Sequence, residues 1–332
     1  LVHQPPSQRH SFVGCAMAAG YKDAADTSAK YSETMKKEMK SSLIYKHEDG
    51  MNYAKCFERI IVGSCLQTPG DVDTLKKEGV GIVFCLQEDK DMAHFKLDLA
   101  PILERAKELD VKHVRHPIKD FDPLSLRRHI PDAVRCLASE MAERPEALVY
   151  IHCTAGLGRA PATALAYMFL IQQMDLDEAY AELYKSRRCH PQLQMVRAAA
   201  CDMLSGGMGS GQLRIVTKKP KAEKVEIAGL DVGWHERIEL MKNADTGEFV
   251  LDRETPPGVY QYKFIVDGEW MADPDLPLVD DNGNQNNLAR VNVTPGTPDA
   301  DRRARLMRKG GKPTEEEWQQ LRAMLLGSRS CV

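Results

Sequence analysis

No apolar run in this chain is long enough to cross a membrane; the longest, Ala160 to Ile171, contains Thr163 and Tyr167 and stops at Gln172. Paired cysteine spacings of the zinc or thioredoxin type are missing as well. The nine cysteines, Cys15, Cys56, Cys65, Cys85, Cys136, Cys153, Cys189, Cys201 and Cys331, are scattered and odd in number. Neither a disulfide framework nor a metal site is expected, and a normally reducing compartment fits best. Net charge is small, −3, and no basic stretch is interleaved with aromatics, which make up 6%. That argues against nucleic acid as the main partner, and an anionic substrate must be held by a local set of donors. Residues 21–48 are not short of acids (Asp23, Asp26, Glu33, Glu38), unlike an organelle transit peptide. The chain begins at Leu1 rather than Met, so a fragment or processed form is expected, with any leader upstream.

What is present suits a globular protein of two domains: 332 residues, 43% hydrophobic and 28% charged. Residues 1–42 lack a regular apolar period and read as a flexible lead-in with a short helix near Tyr31–Met39. Residues 43–204 alternate strands with helices. Arg59–Gly63, Val80–Leu86, Val111–His116 and Leu148–Ile151 read as strands; Asp71–Glu78, Ala100–Leu109, Leu126–Ala142 and Ala160–Gln173 read as helices. The pattern predicts an α/β domain with a mostly parallel central sheet flanked by helices. Residues 205–212, rich in Gly and Ser, read as a linker. Over 213–295 the texture becomes short strands separated by Gly, Pro, Asn and Asp, predicting an all-β sandwich. Within it Tyr260, Tyr262, Phe264 and Val266 alternate with polar residues, and Asp267-Gly268 predicts a hairpin turn. Residues 296–332 end in a helix, Thr314–Leu326, whose Thr314 and Glu317 suit a capping box. Its Trp318, Leu321 and Leu325 share one face and need a surface to cover. There is no internal repeat.

The chemistry concentrates in 148–161, LVYIHCTAGLGRAP. An apolar strand leads into His152 and Cys153, then Thr154, Ala155, Gly156, Leu157 and Gly158, then Arg159 and a helix with Pro161 in its first turn. Gly156 and Gly158 permit a tight loop whose amides face a tetrahedral anion, at the positive end of a helix. A thiol in such a cup ionises more readily than a free one, and an arginine offers a planar fork to two phosphoryl oxygens. Cys153 is therefore the candidate nucleophile, Arg159 the candidate clamp, and residues 154–158 the candidate phosphate cradle. A phosphocysteine route also needs an acid that later acts as a base. Asp120 and Asp122 both lie on a loop about thirty residues upstream, and spacing alone leaves the choice open. Cys85, ending a strand of the same sheet, reads either as core or as an oxidation partner of Cys153.

These segments together resemble the plant starch-excess type of phosphoglucan phosphatase. The likeness rests on His152 to Pro161, Leu66-Gln67-Thr68-Pro69, Phe84-Cys85-Leu86-Gln87 and Asp120-Phe121-Asp122. It continues through residues 227–234, 262–270 and Asn286-Asn287, and spans roughly 40–327. The resemblance implies a dual-specificity phosphatase domain followed by a starch-binding module, removal of phosphate monoesters from glucose units of starch, and a plastid location. It implies Cys153 as nucleophile, Arg159 as clamp and Asp120 as acid/base, with no cofactor or metal. It also implies an aromatic glucan channel, matched by Tyr53, Phe95 and Phe121, with His190 where the family has a further aromatic. In the module Trp234, Lys263, Trp270 and Asn286 match the polyglucan contacts of the AMP-activated-kinase type. Spacing alone leaves both tryptophans open to a core role. Ala160 follows the arginine where most dual-specificity phosphatases have Ser or Thr, so slower phosphocysteine breakdown is expected; the animal relative laforin differs here and in module order. Phosphorylated glucan chains are the expected partner, with no nucleic acid and no membrane. A starch-targeted dual-specificity protein phosphatase is the alternative, and a glucan-binding scaffold with a dead catalytic domain is the reading that the intact Cys153, Arg159 and Asp120 oppose.

Overall fold

A computed structural model describes residues 25–36, 42–281, 284–293 and 296–327. Residues 25–36 form helix α1, which is followed by a 3₁₀ turn at His47–Asp49. The α/β domain then runs β1 (Tyr53–Phe57), β2 (Ile60–Gly63), α2 (Pro69–Lys77), β3 (Val80–Cys85), α3 (Asp89–His94), α4 (Ala100–Glu108) and β4 (Lys112–Arg115). It continues through α5 (Pro123–Glu143), β5 (Leu148–His152), α6 (Arg159–Leu170), α7 (Leu176–Ser186) and α8 (Leu193–Leu204). The sheet order is β1-β2-β5-β3-β4, parallel except for the antiparallel β1/β2 pair. Every side chain of β3 is buried, as a strand covered on both faces requires. β5 is the middle strand, so its carboxyl end opens where ligands bind in open α/β sheets.

Beyond it lie β6 (Gly211–Lys218), β7 (Val225–Gly229), β8 (Gly233–Glu239), β9 (Met241–Lys242), β10 (Glu248–Thr255), β11 (Gly258–Val266), β12 (Glu269–Met271), β13 (Leu278–Asp281) and β14 (Asn284–Val291). They make one sheet of order β6-β10-β9 and a second of order β13-β14-β11-β7-β8, with β12 on β11. Leu213, Ile227, Phe249, Tyr262 and Phe264 fill the core they share. Asp267 and Gly268 both take positive φ, 48° and 94°, giving the tight β11–β12 hairpin that the sequence predicts.

The two units are joined by buried charge. Arg127 on α5 grips Asp202 on α8 through two nitrogens (2.6 and 2.7 Å) and donates to the Pro257 carbonyl of the β module (2.9 Å). Arg303 on α9 (Pro298–Leu306) reaches the same Asp202 at 2.9 Å. α10 (Glu315–Leu326) has the expected capping box and lays Trp318, Leu321 and Leu325 on the α/β core, so it docks on that domain.

Three readings are corrected. The helix in the lead-in starts earlier than the expected Tyr31–Met39 and is packed on the domain, spanning 25–36; the expected end at 37–39 lies outside the described residues. The linker is shorter than 205–212, since β6 starts at Gly211, where an added Cβ would come within 2.7 Å of Val291. Helices α3, α7, α8 and α9 and strands β1, β8, β9, β12 and β13 were not read from the sequence. Among the described residues no helix is long and apolar enough to cross a membrane.

Candidate active site

Most carbonyls along the β5 end and the loop that leads to α6 are occupied from outside the cup. His152 O accepts from Leu86 N (2.9 Å), Thr154 O from Cys65 N (2.9 Å) and Leu157 O from His190 N (2.8 Å). Buried Arg187 donates to Gly156 O through Nε (2.8 Å) and to Ala155 O through Nη2 (3.0 Å), and Asn52 Oδ1 anchors it (2.7 Å). With the carbonyls tied back, the loop amides and the first turn of α6 are the groups left to face an anion. Gly156 has φ +67°, and a Cβ there would sit 2.3 Å from the Gly63 carbonyl oxygen, so only glycine fits. Gly158 does not need that freedom: its φ is −117° and it is the N-cap of α6. Cys153, 3% exposed, lies at the bottom. Ala160 is buried and brings no hydroxyl.

Arg159 is buried and its two terminal nitrogens are engaged. Nη1 binds Asp91 Oδ2 (2.6 Å), Ile118 O (2.8 Å) and Leu86 O (3.3 Å); Nη2 binds Asp120 Oδ2 (2.6 Å) and Thr154 Oγ1 (3.2 Å). Its Nε is buried without a hydrogen-bond partner in the protein. An unpaired buried N–H is costly unless a ligand takes it up, so this donor marks a place for an anionic oxygen. Burial works against the guanidinium charge, but Asp120, Cys153 and Asp91 outweigh it and hold Arg159 firmly protonated.

The two loop aspartates separate by geometry. Asp122 caps α5, accepting from Ser125 N at 2.8 Å, and pairs with Lys119 at 3.2 Å. Asp120 instead turns to Arg159. Burial pushes the Asp120 carboxyl above the ordinary carboxylate range against the opposing pull of Arg159, the direction a general acid needs.

The expected glucan channel is only partly assembled. Phe95 and Phe121 meet in one cluster with Tyr45 and Leu157, above the loop's Ala155. Tyr53 is elsewhere: it packs in the cluster between the sheet and α2/α4, edge-on to Tyr150 at 6.2 Å, with its hydroxyl on Glu78 (3.3 Å). The reason is strand position, since β1 points Tyr53 away from the loop, and Tyr45 fills the place it was assigned. Exposed His190 shares with Trp234 a cavity of ≈ 450 Å³ between the two units, also lined by Leu124, Arg127, Gln194 and Tyr260. Sequence reasoning missed Asp91, Tyr45, Arg187 and Tyr31, whose hydroxyl donates to Asp120 Oδ2 at 2.7 Å.

Cys85 pairs in register with His152, and burial pushes its thiol up to about 11. Cys85, His113 and His152 bring donor atoms within 4.8 Å of one another. Burial drives His113 to about 4 and, with His113 alongside, His152 to about 3. The nearby Arg115 and Arg159 charges oppose a divalent cation there.

On the module Trp270 is 42% exposed with the Arg237 guanidinium 5.9 Å from its ring centre, and Trp234 is half-buried; neither belongs to the β core. Lys263 alternates outward from buried Tyr262 and Phe264. Asn286 departs from the expected open donor, being 1% exposed with its amide on Gln261 Oε1 at 2.8 Å.

Comparison with known proteins divides the chain in the same way. Residues 68–197 match the dual specificity phosphatase catalytic domain, and 214–296 match the glycogen recognition site of AMP-activated protein kinase. The chain is 42% identical over 269 residues to "Phosphoglucan phosphatase DSP4, amyloplastic" of Castanea sativa, covering 80% of this chain and 71% of that protein. It is 28% identical over 261 residues to "Phosphoglucan phosphatase LSF1, chloroplastic" of Arabidopsis thaliana, covering 76% of this chain and 44% of that one. Among solved structures, the PTP-2 phosphatase of Cydia pomonella aligns at 22% identity over 44% of this chain and 86% of its own, with a TM-score of 0.37.

Proposed function

The chain belongs to the phosphoglucan phosphatases, and from that premise we propose that Cys153 removes phosphate monoesters from glucose units of starch through a phosphocysteine intermediate. The observation that carries the mechanism is the loop whose Thr154, Ala155, Gly156 and Leu157 carbonyls are turned to outside donors around a buried thiol, beside a guanidinium with a spare Nε–H. In the first step Cys153 sulfur bonds to phosphorus and the P–O bond to the sugar breaks, with Asp120 giving its proton to the departing oxygen. In the second, Asp120 takes a proton from water as its oxygen attacks phosphorus, and the S–P bond breaks to release inorganic phosphate. Arg159 and the loop amides hold the equatorial oxygens throughout. The amyloplastic and chloroplastic names of the relatives support a plastid location for this chain.

Phe95, Phe121 and Tyr45 form the aromatic cluster beside the loop on which a sugar ring would stack, and the cavity shared by His190 and Trp234 leads toward the module. Trp270, with Lys263, is the module's outward contact for a chain held at a distance from Cys153. Holding the polymer there raises the local concentration of phosphorylated chain at the loop. Phosphate release from phosphorylated amylopectin, set against phosphotyrosine and phosphothreonine peptides, decides the substrate class. A preference for the peptides would favour a protein phosphatase that merely sits on starch. In the same assay Trp270→Ala should weaken binding to β-cyclodextrin by roughly 2- to 12-fold, a lost stack of about 0.5–1.5 kcal/mol. Its turnover of p-nitrophenyl phosphate should be unchanged; an equal fall in both would remove Trp270 from the sugar site.

Cys85 lies next in register to the loop and fits a protective oxidation. Peroxide would convert the Cys153 thiolate to a sulfenic acid, and the Cys85 thiol would displace water from it to form a disulfide. Cys85→Ser should then still lose activity to peroxide but no longer regain it with dithiothreitol. Recovery equal to wild type would discard this role.

A further inference from the structure

Helix α1 stands inside the channel. Its inward residues Ser28, Tyr31, Ser32 and Met35 follow the i, i+3, i+4, i+7 spacing of one helix face. The Tyr31 ring contacts Phe95 (5.6 Å between centres), Phe121 (5.5 Å) and Tyr45 (5.8 Å), occupying the aromatic faces that a glucose ring would use. Its hydroxyl donates to the same Asp120 oxygen that Arg159 binds. That oxygen is thereby taken up by two protein donors and is not free to meet a leaving oxygen. The helix thus holds Asp120 turned away from any leaving group, while Asp120 and Asp91 sit on the guanidinium where phosphoryl oxygens belong.

The attachment is slight. Ser28 Oγ donates to Glu48 (2.6 Å) and accepts from His47 N (2.8 Å); Ser32 Oγ donates to Tyr45 O (3.0 Å) and accepts from Tyr45 N (3.1 Å). Met35 alone of its large apolar side chains is fully buried, while Asp26, Ala29, Lys30, Glu33 and Lys36 face solvent. A helix this short is marginal on its own and depends on that face.

We infer that α1 is a plug: in the resting enzyme Tyr31 fills the glucan channel and ties up Asp120, and an entering glucan chain displaces it. This rests on the assignment of Cys153, Arg159 and Asp120 as the catalytic set. A glucan replaces the ring-on-ring contacts by sugar stacking, so only a substrate bearing a sugar chain opens the site efficiently. Small esters must wait for spontaneous opening. An open state populated at about 10% lowers their apparent affinity about tenfold.

The test uses the full chain, as wild type, Tyr31→Ala and the double variant Ser28→Ala/Ser32→Ala, whose side chains touch residues 45–48 and not Asp120. Turnover of p-nitrophenyl phosphate is measured alongside hydrogen exchange of residues 25–36 with and without maltoheptaose. Both variants should raise kcat/KM on the small ester roughly tenfold, mainly through KM, and maltoheptaose should speed exchange in wild-type α1. If both variants leave the small-ester rate unchanged or lower it, α1 is a fixed wall and the plug is wrong. Slower exchange with maltoheptaose would make α1 a glucan grip and also overturn it. Should no form hydrolyse any ester, the phosphatase assignment fails, while the exchange measurement still reports whether glucan releases the helix.

Discussion

Cys153→Ser should bring phosphate release from every ester to background, a fall of roughly 10⁴-fold or more. The change removes little volume from a side chain that is 3% exposed, so the loop should keep its shape. What it removes is the proposed nucleophile, since a serine hydroxyl gives up its proton far less readily than a thiol. The carbonyls of the loop remain tied by Cys65, Arg187 and His190, so the amides and Arg159 should still receive the phosphate. The variant should therefore hold phosphorylated amylopectin as well as wild type does, or longer, while releasing none of its phosphate. Phosphate assay together with glucan co-sedimentation measures both. Retention of more than a few per cent of wild-type turnover would mean that the thiol is not the nucleophile.

The loop could be read from the sequence because its constraints are local. A strand, a cysteine, two glycines, an arginine and a helix follow one another, and only Gly158 was given a reason it does not need. The β11–β12 hairpin and the capping box of α10 were legible for the same reason, each being written within a few residues. What was missed depends on distant groups. Arg187 braces the loop from a segment with no phosphatase signature, and Asp91 is, by sequence, simply the capping residue of a six-residue helix. Only the later part of α1 was read, near Tyr31, because its inward face is half serine and the apolar period that announces a helix is diluted over 25–30. Tyr53 and Tyr45 stand eight residues apart, and only the direction of β1 tells which one faces the channel. The Asp120/Asp122 choice was likewise undecided until one was seen to cap a helix and the other to reach the guanidinium.

That choice sets the second large effect. Asp120→Asn should lower kcat on phosphorylated glucan by roughly 10²–10⁴-fold, the usual worth of a positioned general acid. The sign of the pH dependence follows from the protonation the step requires. Asp120 must carry its proton when the sugar oxygen leaves, so wild-type kcat falls as pH rises through the carboxyl's pKa. Burial raises that pKa against the pull of Arg159, so the acid form survives to higher pH than at a surface aspartate. Asparagine cannot titrate, and the descending limb of the profile should vanish with the rate. The loss should shrink sharply on p-nitrophenyl phosphate, whose phenolate leaves without help, and this contrast between esters separates an acid from a merely structural residue. Asp122→Ala provides the opposite pattern. Losing the α5 cap should cost about 1 kcal/mol of stability while the descending limb and the ester contrast persist. If Asp120→Asn instead loses the same factor on sugar and aryl esters and keeps the descending limb, the proton comes from elsewhere, and Asp120 only positions Arg159.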